Sequence, residues 1–396
     1  MKKILVVSQY FYPEQFRIND ICLELKKRGY DVTVLTGIPN YPFGKFYSGY
    51  GLFRRKVDEW NGIKIIRLPI ISRGHSSFRL FLNYYSFVVS GFFWSFFTRK
   101  KFDLVFTFEV SPIMQALIGK WYAKRRKIKN YLYVQDLWPE NLEIIGGVKN
   151  KIILKHYSRL ATRIYKSNTK IFVTSPSFKA TLEERVDDCE KIIYLPQYAE
   201  DHYKPKYLLN KDNNKFDFLD NDNRFKIVFT GNIGYAQGLD ILPRIAKSLG
   251  DIVFVIVGDG RYRNQFEKEI ACFKNNFYFL GQIDSLDVPY VLSKCNLAFI
   301  SFLNNQLFSK TIPAKLQTYL ACAMPIIGYA SGETKRIIEE AKCGYCCEIG
   351  NEKELISTIN QLVKIDLTSM SKNSLLYSKK HFDKDRIIEK LIKEIE

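Results

Sequence analysis

Phe229-Thr230-Gly231-Asn232-Ile233-Gly234-Tyr235-Ala236-Gln237-Gly238 closes a short apolar run, Ile227 to Phe229. Val257-Gly258-Asp259-Gly260, Phe279-Leu280-Gly281-Gln282 and Thr311-Ile312-Pro313-Ala314-Lys315-Leu316 follow it in order. The runs ahead of these turns, such as Ile252 to Val257 and Phe277 to Leu280, are apolar and short enough for buried parallel strands, and the last turn opens a helix. Their backbone groups are therefore expected along the carboxyl edge of one sheet, where open α/β folds bind ligands.

The chemistry of that edge points to a phosphate. Thr311 is expected as an N-cap and Pro313 in the first helical turn, so free amides and the positive end of the helix dipole face outward beside Lys315. Gly231, Gly234 and Gly238 permit close backbone approach and supply a second face for a diphosphate, with Asn232 and Gln237 as neutral donors. Gly258 belongs to the same wall, and Gly281 and Gln282 stand where main-chain groups can read a nucleobase edge. Any one of these glycines reads equally well as a turn former; their order along one edge favours the pocket.

A chain of 396 residues, 46% apolar, has room for two or three domains. Met1-Lys2-Lys3 runs into Ile4-Leu5-Val6-Val7 with too short an apolar stretch for a signal peptide, so it reads as a first strand and the protein as cytoplasmic. The cysteines at 22, 189, 272, 295, 322, 343, 346 and 347 are scattered apart from the last three, and no second pair stands at zinc spacing. They are expected as free thiols, with no metal and no cofactor. Charge is lopsided: residues 1–195 hold 33 Lys and Arg against 16 Asp and Glu, a net of +17, whereas residues 196–396 net only +2. Nucleic acid, an anionic membrane or a diphosphate-bearing acceptor each suits the basic half.

Along the chain, the strand Ile4 to Val7, a helix from Asn19 to Lys27 and the strand Val32 to Leu35 make a βαβ opening. Ser8-Gln9-Tyr10-Phe11-Tyr12-Pro13-Glu14 lacks the G-x-G-x-x-G of a dinucleotide fold, which argues against an NAD enzyme. Further strands are expected at Leu104 to Phe108, Tyr131 to Val134 and Ile171 to Thr174. The Asn/Asp-rich stretch that includes Asn210 to Asn214 and Asp220 to Asn223 reads as a linker, and its Asp-x-Asp at 220 to 222 as a solvated loop. Domain boundaries follow: 1–197, a linker 198–224, 225–375, and a C-terminal helix segment 376–396, the helix itself read as about Ser374 to Ile395. Leu80 to Phe97, 18 almost wholly apolar residues, touches the lower limit for a membrane span, but its polar dilution favours a helix buried in the N-terminal domain with one edge at an interface.

These segments resemble the C-terminal domain of the retaining glycosyltransferases of family 4. The resemblance implies the GT-B architecture: α/β, two facing Rossmann-like domains with parallel sheets, and a C-terminal helix packing back toward the N-terminal domain. Ser8 to Asp20, Thr36-Gly37-Ile38-Pro39-Asn40-Tyr41-Pro42 and Tyr133-Val134-Gln135-Asp136-Leu137-Trp138-Pro139-Glu140 resemble a bacterial subgroup that includes the N-acetyl-L-fucosamine transferases of O-antigen and capsule assembly. The implied reaction moves a sugar, such as L-FucNAc, from a UDP-sugar to a polyprenyl-diphosphate-linked acceptor with retention and without a metal. The Arg and Lys usual in the phosphate loop are replaced here by Asn232 and Gln237, which puts the cationic load on Lys315. The family's paired glutamates map to Lys310 and Thr318, and Glu333, after Gly332, is a substitute carboxylate from the neighbouring loop.

Asp136, following a buried strand, is the acidic candidate to orient a sugar hydroxyl or the acceptor; an N-cap role for the next helix is an equal alternative. Glu14, Arg17, Asn40 and Glu140 are candidates for the acceptor side. Lys151, Lys155, Arg159 and Arg163 recur every four residues opposite an apolar stripe, a basic amphipathic helix suited to the inner face of the cytoplasmic membrane. A sugar-nucleotide epimerase of the same architecture is an alternative, as is a basic nucleic-acid-binding protein, although no recognition motif for nucleic acid is present.

Overall fold

Short Val-, Ile- and Phe-rich runs separated by helices can bury both faces only in parallel sheets covered on two sides. The computed structural model, which describes residues 1–74, 76–209 and 215–396, contains two such sheets in two compact units. The expected α/β class with two Rossmann-like domains is therefore observed.

The first unit comprises Met1–Leu195 and Ile388–Glu396. Its strands are β1 Lys3–Val7, β2 Asp31–Gly37, β3 Val57–Trp60, β4 Ile63–Leu68, β5 Leu104–Glu109, β6 Lys129–Val134, β7 Lys170–Val173 and β8 Ile192–Tyr194, in the order β3-β4-β2-β1-β5-β6-β7-β8. All pairs are parallel except β3 with β4, a hairpin closed by Asn61-Gly62 at positive φ, the turn that Asn-Gly favours. Neither β3 nor β4 is among the strands expected from the sequence. The strand order reverses between β1 and β5, so the loops after those two strands, 8–16 and 110–112, border the crevice of this unit.

The second unit, Pro196–Ile387, holds β9 Phe225–Thr230, β10 Ile252–Val257, β11 Phe277–Gly281, β12 Leu297–Ser301, β13 Ile326–Tyr329 and β14 Gly344–Cys347. Their order is β11-β10-β9-β12-β13-β14, all parallel. Ile227, Phe229, Phe254, Ile256, Phe299 and Ile327 fill the core beside this sheet. The reversal between β9 and β12 places the Gly231 loop at the crevice.

Three expectations change. The single last helix is two, Thr368–His381 and Lys384–Ile395: buried Phe382 leaves the helical region and Asp383 Oδ1 accepts the Arg386 amide 2.9 Å away, which starts a new helix. The segment 198–224 is no free linker, since Phe216 and Leu219 are buried, Asp220 pairs with Lys294, and Asp222 pairs with Arg224 at 2.6 Å. Asn210 to Asn214 lie outside the described residues. The helix read from Leu80 to Phe97 spans Ser77–Phe97 and is not a buried helix: only Asn83, Phe87, Val88, Gly91 and Ser95 of it are buried.

Candidate functional site

The carboxyl edge of the second unit is built by backbone locking. Beyond β9, Gly231 takes φ 123°, and its amide donates to Val257 O at 2.9 Å. Gly258, at φ 139°, lies so close that a Cβ there would stand 1.8 Å from Gly231 O. The Ile233 amide donates to Asp259 O at 2.9 Å, while the Ile233 side chain is fully buried and anchors the loop. The turn after β9 is thus fixed to the turn after β10, and only glycine fits at the crossing. The Gly258 amide in turn donates to Gly281 O at 2.8 Å, which ties in the third turn.

Lys315 enters this frame from the helix Ala314–Ala321. Its Nζ donates to Gln237 Oε1 at 2.5 Å, lies 3.7 Å from the centroid of the Phe229 ring, and would be 3.7 Å from a Cβ on Gly231. Among the described residues no carboxylate pairs with it, and desolvation pushes its ammonium well below the usual lysine range. The Leu316 amide is satisfied by Pro313 O, whereas the amides of Ala314 and Lys315 have no protein acceptor among the described residues. A desolvated cation without a counter-anion, two free helix amides and a glycine turn together form a site for an anion.

Thr311 is not the N-cap expected of it. A short helix, Gln306–Ser309, precedes it, and its hydroxyl donates to Leu307 O at 2.9 Å; Pro313, in extended conformation, occupies the cap position instead of the first turn. Asn232 is exposed beside Gly234, and Gln237 is half-buried, its side-chain amide nitrogen left to donate. Gln282 is exposed just past β11. Glu333 opens the helix Glu333–Ala341, buried and paired with Arg336 at 2.8 Å. Lys315, Gln237, Gly231 and Gly258 are thus brought together, while Glu333 is engaged with its own helix.

In the first unit the acceptor-side candidates take unequal positions. Glu14 is buried, not wall-lining: its carboxylate accepts the amides of Asn40 at 2.7 Å and Tyr41 at 2.6 Å, bracing two loops, and burial pushes its pKa up to about 7. Asn40, also buried, accepts the Arg73 amide at 2.9 Å, and Arg73 donates to Tyr10 OH at 2.9 Å. Arg17 begins the helix Arg17–Lys27 and is half-buried. Glu140 is paired with Arg185. Asp136 is not an N-cap, since Pro139 holds that position for the helix Glu140–Ile144. Instead, Asp136 Oδ2 accepts from both the amide and the hydroxyl of Ser111 at 2.7 Å, joining the ends of β5 and β6 at the crevice.

Arg73, Tyr10 and Ser111 are polar groups at this edge that were not expected from the sequence. Tyr10 and Ser111 each stand within three residues of a strand end, after β1 and β5, and that position is their signal; Arg73 has none. The helix Lys151–Lys166 places Lys151, Lys155, Arg159 and Arg163 in solvent and buries Tyr157, Ala161, Ile164 and Tyr165.

Residues 210–376 match the family model described as glycosyl transferases group 1. WbjE of Pseudomonas aeruginosa, provisionally named a glycosyltransferase, is 25% identical over 269 residues, which span 65% of this chain and 64% of that protein, just under two thirds of its length. WcaI of Escherichia coli K12, provisionally named a colanic acid biosynthesis glycosyl transferase, is 25% identical over 99% of both chains. The solved structure of HepE from Anabaena in complex with UDP-glucose superimposes with a TM-score of 0.71 at 13% identity, covering 99% of both chains. At that identity the likeness shows the fold, GT-B.

Proposed function

We propose that the protein is a retaining, metal-independent glycosyltransferase that moves a sugar from a UDP-sugar to a polyprenyl-diphosphate-linked saccharide in surface polysaccharide synthesis. An N-acetylated deoxyhexosamine such as L-FucNAc is the donor sugar of this reading. The observation that carries it is Lys315, half-buried and with no carboxylate partner among the described residues, held over Phe229 beside the Gly231 turn.

Breaking a sugar–diphosphate bond places negative charge on the departing β-phosphate. Groups fixed in advance where that charge develops lower the barrier. Lys315 Nζ, the amides of Ala314 and Lys315 and the backbone of the Gly231 turn take that role, and Gln237 holds the lysine in place while its own amide nitrogen remains available to a phosphate oxygen. The departing phosphate accepts the proton of the attacking hydroxyl on the same face of the sugar, which yields retention. The UDP-glucose bound by HepE and the colanic acid role in the name of WcaI support the donor class and the polysaccharide setting. Asp136, anchored by Ser111, is assigned to orient an acceptor or sugar hydroxyl. The exposed cations of Lys151–Lys166 support residence on the inner face of the cytoplasmic membrane.

The test is a calorimetric screen of nucleotide sugars, followed by product analysis with a lipid-linked acceptor, each with EDTA or Mg²⁺. Transfer that survives EDTA and gives a product of unchanged anomeric configuration is expected. Turnover of the nucleotide sugar without acceptor would instead identify an epimerase, and restoration of an EDTA-abolished activity by Mg²⁺ would overturn the leaving-group account.

A further inference from the structure

The helix Ser77–Phe97 has an inner and an outer face of different chemistry. Inside, Phe87 and Gly91 are buried, and a Cβ on Gly91 would stand 2.2 Å from Ile118, so this helix lies tight against the helix Ala116–Arg126. Buried Asn83 donates to Ile71 O at 2.6 Å and accepts from Gln9 Nε2 at 2.8 Å. Outside, Phe78 (69% exposed), Phe81, Val89, Phe92, Phe93 (55%), Phe96 and Phe97 (76%) form a continuous apolar surface. Solvent-exposed apolar surface of this extent marks a contact face.

The surroundings identify what the face contacts. Segments 60–102, 110–135 and 144–182 contain 21 Lys and Arg and no Asp or Glu. They supply this helix and both of its helical neighbours: Phe92 packs on Trp121 at 5.2 Å, and Tyr85 OH meets Tyr157 OH of Lys151–Lys166 at 2.6 Å. Arg125 and Arg126 donate to Thr98 O at 2.7 and 2.9 Å, which gathers cations at the carboxyl end of the helix. A second copy of the chain would bring like charges together across such a face. An anionic lipid leaflet satisfies both parts, with acyl chains for the phenyl rings and headgroups for the rim.

We propose that Ser77–Phe97 is an in-plane anchor whose phenylalanine face sinks into one leaflet of an anionic bilayer. This deepens the membrane-surface reading above. At 21 residues the helix is long enough to cross a bilayer. Crossing would strip Phe87 and Gly91 from their packing and leave the Gln9–Asn83 pair broken, so it lies along the surface. Binding through cations alone is reversed by salt; an inserted apolar face retains affinity when the charges are screened.

The experiment is vesicle flotation of the full chain with phosphatidylcholine–phosphatidylglycerol liposomes at 0.1 and 1 M NaCl, with bromine-labelled lipids to quench Trp94 and Trp121. UDP binding is measured on the same samples. The expected result is binding that persists in part at 1 M salt, tryptophan quenching, and at least a tenfold loss of vesicle affinity in a Phe78→Ser, Phe81→Ser, Phe92→Ser, Phe96→Ser variant that keeps the parent's UDP affinity. Complete release of the parent at 1 M salt, absence of quenching, or undiminished vesicle binding by the variant overturns the proposal. So does a parent dimer that the variant loses, or protease access to this helix from both sides of the bilayer. Loss of UDP binding by the parent would count against the glycosyltransferase reading and not against the anchor.

Discussion

The Nζ of Lys315 lies 3.7 Å from the centroid of the Phe229 ring. The last aromatic residue of one strand therefore forms a floor for the first cation of a helix 86 positions later. A ring face attracts a cation but cannot take its proton or neutralise it, so the charge remains available to a ligand.

Replacing that lysine is the most direct check. Lys315→Ala should leave secondary structure and unfolding cooperativity unchanged while turnover falls roughly 100-fold or more, the loss typical of removing one fixed donor to a developing anion. Activity within a few-fold of the parent would remove Lys315 from the leaving-group role.

A second outcome concerns protons. Desolvation holds the Lys315 ammonium well below the usual lysine range, and a bound diphosphate favours its charged form. UDP binding should take up a proton where the free side chain is partly neutral, and affinity should fall as pH rises through that window. Calorimetry in buffers of different ionisation heat reads the uptake, and Lys315→Met should abolish it. In the absence of ligand the sign is opposite for stability: the folded state binds fewer protons than the unfolded one, so this group's contribution rises with pH up to about 10.4.

Glu14 behaves in the other direction. Burial raises its pKa to about 7, above the unfolded value of about 4.3, so the folded state holds the extra proton. Its contribution is present in full below the unfolded pKa and is lost as pH rises through about 7. Denaturant midpoints measured from pH 4 to 8 should decline across that range, and Glu14→Gln should flatten the decline. An unchanged slope in the variant would assign the pH dependence to another group.

Gly258→Ala would place a methyl group 1.8 Å from Gly231 O at a backbone conformation that side chains rarely adopt. Strain of about 1–3 kcal/mol is expected, with a fall in Tm of at least 2 °C on the scale of about 2–4 °C per kcal/mol. UDP affinity should drop at least tenfold, because the turn that carries Gly231 must move. Parent-like binding would show that the interlock of the two turns is dispensable.

Replacing Lys151, Lys155, Arg159 and Arg163 with Gln should weaken binding to anionic vesicles at 0.1 M salt, each cation contributing on the order of 1 kcal/mol near the surface. At 1 M salt, parent and variant should converge, since screening removes what the substitution removes. UDP affinity should be the same in both. Identical flotation at low salt would take this helix off the membrane face.

The parts legible in the sequence were those governed by local rules. Apolar runs followed by glycine mark β9, β10 and β11, and an apolar stripe opposite regularly spaced cations marks Lys151–Lys166. The hairpin of β3 and β4 escaped because Val57–Trp60 is half polar and has no buried residue, as suits an edge strand. Thr311 resembled a cap, but the preceding short helix claims its hydroxyl. Ser111 with Asp136 and Glu14 with Asn40 are pairings between loops 25 and 26 residues apart, decided by strand order and not by neighbours in sequence. The outer face of Ser77–Phe97 was hidden for a related reason: a helix apolar all round carries no pattern to say which side is inward.

The first unit draws its last part from the far end of the chain. Glu396 Oε1 accepts from Tyr30 OH at 2.8 Å, Glu394 pairs with Lys170 at 2.7 Å, and Ile395 O accepts from Tyr131 OH at 3.2 Å. On the ribosome this unit is the first to emerge, yet it waits for residues 388–396 before these three groups are satisfied, so nearly the whole second unit is synthesised while the first remains open. Completion of the earlier unit thereby becomes a report that the later one has been translated, and a nonsense codon between residues 196 and 387 would leave both units unfinished.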